Sequence, residues 1–286
     1  MHPLAQALLT AQSHGLDRLD AQLLMLHTLG RPAHDRTWLL AHDTDALPPS
    51  EQATFFACVQ RRAAGEPLAY ITGHKEFFGL DLLVDARVLV PRPDTETLVD
   101  WALEVLNVAS VRAQLVEAPS PTISVIDLGT GSGAIALALK HTRPELQLSA
   151  IDASADALDV ARANAQRLQL DVFFRLGSWL DGASARYHAI VSNPPYIAAQ
   201  DKHLAALRHE PLQALASGLD GLDDIRQIIT QAPAHLHPGG WLLLEHGYDQ
   251  ATAVRGMLID ASFVNVTSRR DLSGIERCSG GQLAQA

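Results

Sequence analysis

Cysteine is scarce in this chain: only Cys58 and Cys278 occur in 286 residues, far apart and in dissimilar contexts. They offer no metal-ligand spacing and read as reduced thiols of a cytosolic protein. The thirteen histidines also show no ligand spacing, so no metal is expected. Long apolar runs are missing too. No stretch approaches the ~18 residues of a membrane span, and the opening residues lack a basic-then-apolar signal pattern. The expected location is therefore cytoplasmic, with no membrane partner. Positive charge is in deficit, with 22 Lys and Arg against 32 Asp and Glu, a formal net charge of −10. Residues 1–75 are nearly balanced and the deficit lies in the remainder. A nucleic-acid enzyme must offset phosphate charge and usually shows a basic face, so direct nucleic-acid binding is not expected.

What is present is apolar content, 47%, enough for a core, in a length that allows one large or two modest domains. The first 65 residues are helical in pattern. Leu4, Leu8 and Leu9 share a face, and Leu19, Leu23, Leu24 and Leu26 follow after Gly15. Gly30-Arg31-Pro32 breaks the chain, Trp38-Leu39-Leu40 forms a short third piece, and Ser50 opens a fourth helix running towards Gly65. Small helices without chemistry suit either a docking domain or a structural cap. Lys75–Phe78 and Leu80–Val84 flank Gly79 and read as a β-hairpin. From Pro93 the pattern turns helical, with Asp94 and Glu96 in a first turn where the helix dipole favours acids. After a break at Pro119-Ser120-Pro121, strands and helices alternate, which predicts a mostly parallel sheet with ligands at the carboxyl ends of its strands. The expected division is a helical domain over 1–74, a hairpin linker over 75–90 and an α/β domain over 91–286.

Two regions of the α/β part carry chemistry. Ile123–Asp127 reads as a strand, Gly129-Thr130-Gly131-Ser132-Gly133 as a turn, and Ala134 onward as a helix. Glycines there let a ligand approach the backbone at a helix N-terminus. Residues 129–134 also fit G-x-G-x-x-A, a dinucleotide fingerprint. Asp127 argues against a pyrophosphate, since its carboxylate repels phosphate and welcomes a cationic amino-acid group. Asp152 ends the next strand, where an acid suits ribose hydroxyls. An adenosine with a positively charged amino-acid tail, S-adenosylmethionine, fits both acids. Further on, the buried strand around Ala189-Ile190-Val191 runs into Asn193-Pro194-Pro195-Tyr196. Two prolines stiffen that corner and remove two donors, so the Asn193 amide and the Pro194 carbonyl face outward beside a tyrosine ring. The corner suits a planar group bearing an NH2. It also reads as a proline-rich turn with a capping Asn.

Taken together, these features resemble the class I methyltransferases that alkylate an amide or exocyclic amine nitrogen. Glu76–Leu80, Val90–Glu96, Asp127–Gly133, Asn193–Ile197 and Gly239–Gly247 come in the order found in the release factor glutamine methyltransferases, the PrmC/HemK family. The likeness spans roughly residues 65–277. It implies a Rossmann-like, seven-stranded, mostly parallel sheet behind a small all-α domain that helps recognise the protein substrate. It further implies methyl transfer from S-adenosylmethionine to a glutamine of class I peptide release factors. Asn193, Pro194 and Tyr196 would then be catalytic, with Pro195 beside them on the substrate. Asp127, Gly129, Thr130, Gly131, Ser132, Gly133, Asp152, Trp179 and Asn193 would hold the cofactor. Related activities share the corner: a methyltransferase acting on a glutamine of a large-subunit ribosomal protein, and N6-adenine or guanine methyltransferases of nucleic acid.

Smaller readings complete the pattern. Arg92 and Glu96 either serve the substrate or pair with each other. Phe77 or Phe78 either walls the methyl channel or fills the hairpin core. Glu245 ends a strand and reads as structural. Gly280-Gly281-Gln282 matches the tripeptide that carries the family's methyl acceptor but reads as a coincidence. It departs from the family's usual ending, which leaves the last strand open.

Overall fold

The computed structural model describes residues 3–114 and 122–285, so the Pro119–Pro121 break lies outside the described residues. The chain divides into two compact units, Met1–His74 and Lys75–Ala286.

Among the described residues the first unit holds five helices: α1 (Leu4–Ser13), α2 (Arg18–Thr28), α3 (Arg36–Ala41), α4 (Pro49–Ala63) and α5 (Leu68–Thr72). Asp17 caps α2 by accepting the Asp20 amide at 2.7 Å, satisfying a donor the helix cannot. Leu24, Met25, Leu26, Leu39, Leu47 and Phe55 fill the core. α5 has no counterpart in the sequence reading. It is five residues long, starts after Pro67 and stops at Gly73, whose φ is +77°. A helix that short carries no apolar period to detect.

At the start of the second unit stands the hairpin β1 (His74–Phe77) and β2 (Leu80–Leu83), whose first residue, His74, is the last of the first unit. Its two-residue loop, Phe78-Gly79, has positive φ at both positions, as the tight hairpin turns that match strand twist require. A 3-10 turn over Pro93–Thr95 leads into α6 (Glu96–Gln114). Then follow β3 (Ser124–Leu128), α7 (Ala134–Thr142), β4 (Gln147–Asp152), α8 (Ala155–Leu168), β5 (Phe173–Leu176) and β6 (Tyr187–Ser192). The chain continues through α9 (Asp223–His235), β7 (Leu236–Glu245), α10 (Ala251–Asp260), β8 (Phe263–Arg270) and β9 (Glu276–Leu283). The sheet order is β5-β4-β3-β6-β7-β9-β8. The strands from β5 to β7 run parallel, and β9 is antiparallel to both its neighbours.

Side chains alternate between two cores. Val125, Ala189, Val191 and Leu243 face one, with Leu137 of α7 and Trp101 of α6. Ile126, Ile190, Leu242 and Leu244 face the other, with Ile228 of α9 and Val254 of α10. Strands covered on both faces read as continuous apolar runs, which is why they are visible in the sequence. The strand order reverses between β3 and β6, and ligands of such sheets lie at that switch point, off the carboxyl ends of the strands.

Gly280-Gly281-Gln282 is an integral part of β9, between β7 and β8. A Cβ on Gly280 would lie 2.6 Å from the Leu242 carbonyl oxygen and 3.0 Å from the Trp101 ring. Gln282 donates to the Gly239 carbonyl at 2.7 Å and accepts from Asn265 at 3.0 Å. The tripeptide is thus demanded by packing, and the last strand is complete.

Candidate active site

The ends of β3, β4, β5 and β6 surround one cavity, and Gly129, Gly131, Asp152, Trp179, Asn193 and Pro195 line it. Gly131 has φ +56° and the position of its missing Cβ meets nothing within 4 Å. Backbone is therefore presented bare to whatever fills the cavity. Gly129, at φ +70°, would place a Cβ 3.2 Å from the Trp179 ring, so that ring lies against the loop.

The two strand-end acids behave differently. Asp152 accepts the Gly131 amide on Oδ2 at 2.8 Å and the Ser154 amide on Oδ1 at 2.9 Å, and it stays at the cavity wall. Burial raises its pKa, against the pull of those amides. Asp127 lies beneath the loop and does not line the cavity. Its Oδ2 accepts the Thr130 hydroxyl at 2.6 Å and the Ala136 amide at 3.3 Å, and Oδ1 is buried without a partner. Burial pushes its carboxyl up to about 7, opposed by those two donors. Thr130 and Ser132 are buried as well, and Gly133 stands at the start of α7. Asn164 of α8 donates to the Ser132 carbonyl and the Leu83 carbonyl, each at 3.0 Å, tying the loop to the hairpin.

The corner after β6 is built from distant parts of the chain. Ser192 donates to the Leu128 carbonyl at 2.7 Å, locking β6 to β3 where both strands end. Asn193 is half-buried, and its Nδ2 donates to Thr95 Oγ1 at 3.1 Å. Pro194 is buried and Pro195 faces the cavity. The Tyr196 carbonyl accepts Gln250 Nε2 at 3.0 Å, and a Cβ on Gly221 would come within 2.2 Å of that oxygen, so only glycine fits there. The Tyr196 hydroxyl donates to Glu245 Oε1 at 3.3 Å. Burial and the Glu245 charge raise the Tyr196 pKa, so the hydroxyl keeps its proton.

Several smaller readings are narrowed by the contacts. Arg92 and Glu96 do not pair: Arg92 donates to Glu210 Oε1, and Glu96 Oε1 accepts the Phe78 amide at 3.0 Å. Glu210 also accepts the Val90 amide at 3.1 Å. Phe77 is buried in the core and Phe78 packs against it, and neither lines the cavity. Glu245 is more than a strand end. It is 1% exposed, Oε2 has no partner, and burial pushes its carboxyl up to about 7, against the pull of the Thr95 and Tyr196 hydroxyls. Thr95 and Glu210 are thus the residues that sequence reasoning missed. Thr95 lies inside a segment that reads as a helix start, where a buried polar side chain leaves no signal of its own.

Could this cavity hold S-adenosylmethionine? The open space at Gly131 and the ring against Gly129 suit a flat group beside bare backbone. Asp152 supplies an acid at the wall, while Asp127, buried beneath the loop, braces it through Thr130 and Ala136. The residues fit the group.

Comparison with known proteins agrees with this geometry. The PrmC N-terminal domain model matches residues 4–73, and the methyltransferase small domain model matches residues 111–218. The release factor glutamine methyltransferase of Xylella fastidiosa (strain Temecula1) is 46% identical over 280 residues, covering 96% of this chain and 97% of that protein. That of Bordetella pertussis is 48% identical over 273 residues, covering 94% and 96%. Among solved structures, a methyltransferase from Pyrococcus furiosus has a TM-score of 0.52 at 17% identity, covering 82% of this chain and 100% of that one. The last is a likeness of fold.

Proposed function

The chain belongs to the release factor glutamine methyltransferase family, and on that premise we propose that it methylates N5 of the glutamine in the Gly-Gly-Gln loop of class I peptide release factors. The methyl donor on this reading is S-adenosylmethionine, and the place of work is the cytoplasm. No helix among the described residues is long and apolar enough to cross a membrane.

When bound, S-adenosylmethionine supplies a methyl on a sulfonium sulfur, which leaves with the bonding electron pair as the nitrogen–carbon bond forms. Gly129, Gly131, Asp152 and Trp179 would hold it, with Asp127 beneath the loop. The chain's remaining task is the acceptor. An amide nitrogen is a poor nucleophile because its lone pair is conjugated with the carbonyl; the ~18–20 kcal/mol barrier to amide rotation measures that conjugation. Asn193 Oδ1 and the Pro194 carbonyl accept the two N–H groups and turn the nitrogen towards the methyl. They also oppose the positive charge that develops there, an effect worth ~2.7–4 kcal/mol per well-aimed group. The nitrogen becomes acidic as it is alkylated and loses one proton, so no side-chain base is required.

One observation supports the reading: Asn193 lines the cavity and its NH2 donates to Thr95, which leaves its oxygen free to accept from a substrate amide. The test is transfer of labelled methyl to a purified release factor, a large-subunit ribosomal protein and DNA in parallel, with fragment mass spectrometry of the product. The expected result is one methyl on the glutamine of Gly-Gly-Gln. Preferential labelling of either other substrate overturns the proposal.

A further inference from the structure

Between Ile197 and Leu215 the chain leaves the acceptor corner and returns to it. The Ile197 amide donates to the Leu215 carbonyl and the Ser217 amide to the Ile197 carbonyl, each at 2.9 Å, so the two ends of this excursion are pinned side by side. Its middle holds two short 3-10 turns, with no buried residue in either. Residues 198–214 bury a single residue among them, and it is an acid, Glu210. Its side chain is 3% exposed. A segment with so few buried apolar contacts opens at little cost, which is where mobile covers of binding sites are drawn from.

Glu210 grips the opposite wall of the cavity. Its Oε2 accepts the Val90 amide at 3.1 Å, and its Oε1 accepts from the Arg92 guanidinium. Arg87, Val88 and Leu89, just before Val90, line the cavity, and so do Pro211, Gln213 and Ala214, just after Glu210. The first wall is fixed, because Val88 and Val90 are buried. The second is a strap that springs from the acceptor side and is held inward by a carboxylate. We infer that Glu210 is the latch of this strap and a positioning residue for S-adenosylmethionine, closing residues 198–214 over the bound cofactor and releasing them for exchange. The inference rests on the cofactor of the proposed reaction, whose spent form, S-adenosylhomocysteine, must leave after each transfer.

The chemistry of the latch suits repeated opening. A buried carboxylate and a guanidinium attract each other strongly, but each gives up water to meet. When the strap lifts, both are hydrated again, which offsets most of what the contact supplied. An apolar contact has no such compensation. Arg92 is 36% exposed, so water already reaches the outer side of the pair.

The test follows S-adenosylmethionine association and dissociation by stopped-flow tryptophan fluorescence, with Trp179 on the cavity wall as reporter. Glu210→Ala removes both acceptors. It should raise the dissociation rate about 10- to 100-fold while the association rate stays within about threefold. Glu210→Gln keeps one acceptor without the charge and should lie between, at about 3- to 10-fold. Trypsin gives a second readout at Lys202 and Arg208, both exposed in the strap. S-adenosylmethionine should slow cleavage there in the unaltered chain and protect far less in Glu210→Ala. A residue that only props the fold would instead lower the association rate or the fraction of chains able to bind. Dissociation as slow in Glu210→Ala as in the unaltered chain, or equal protection of the strap, overturns the inference. If Glu210→Ala does not fold, Glu210→Gln and Arg92→Gln decide by the same rates. Absence of methyl transfer to release factor, with the exchange rates as expected, would instead defeat the functional reading and leave the latch in place.

Discussion

The two halves of the site are built on different scales. The cofactor half uses neighbours: Asp152 holds the Gly131 amide 21 residues away, and Asp127 holds Thr130 and Ala136 within one loop and helix start. The acceptor half uses contacts across the chain: Asn193 to Thr95 spans 98 residues, Tyr196 to Glu245 spans 49, and Arg92 to Glu210 spans 118. The first half is a surface of backbone that holds a ligand. The second is a set of side chains whose hydrogen-bond direction matters, so small changes there act on rate.

The largest expected effect follows from that contrast. Asn193→Ala should lower kcat by about 10²–10³-fold, the cost of one well-aimed acceptor, while calorimetry finds S-adenosylmethionine affinity within a few-fold. Equal losses in binding would erase the distinction between the halves.

The next effect concerns stability and pH. Burial raises the folded-state pKa of Asp127 from 3.8 to about 7. The folded chain therefore binds this proton more tightly than the unfolded chain. The associated stability is present below the unfolded value and is lost as pH rises through about 7, a loss on the order of 4 kcal/mol in all, roughly 2–3 of it between pH 5 and pH 8. Asp127→Asn should flatten that decline in urea unfolding at pH 5 and pH 8; an unchanged slope would show that Asp127 is not its source. Asp152→Ala comes third. It should weaken S-adenosylmethionine binding by about 1.5–3 kcal/mol, the range for hydrogen bonds to a charged group, and calorimetry measures it directly. A variant that binds normally but turns over slowly would put Asp152 on the acceptor side. The smallest is Gly129→Ala, where a positive φ costs about 1–2 kcal/mol and the Trp179 ring must shift. Lowered thermal stability with a modest loss of cofactor affinity is expected, and equal stability would mean that the ring yields freely.

The same scales decide what the sequence makes legible. The parallel strands are visible because burial on both faces leaves apolar runs such as Ala189–Val191, and the glycine loop because its strand, turn and helix are contiguous. The corner at Asn193 shows its two prolines and its place after a strand. It does not show which way the amide points, because Thr95 sits in a segment whose local pattern says only helix start. Glu210 lies in a stretch of short 3-10 turns, Lys202–Leu207 and Leu212–Ala214, with no period that would aim it at Arg92. The alternative of an Arg92–Glu96 pair shows the limit of proximity along the chain, since the partners are Glu210 and the Phe78 amide.

The position of β9 bears on how the molecule is made. It is synthesised after β8 yet lies between β7 and β8, reversed against both. A growing chain that has emerged only as far as Arg270 therefore has an open edge on β7 and a β8 strand with no partner in the sheet. Unpaired edges of that kind template contacts with other chains. Until Glu276–Leu283 pairs, both edges stay open, and the glycines at 280 and 281 are what let that strand lie against Leu242, Trp101 and Phe263 in the finished sheet.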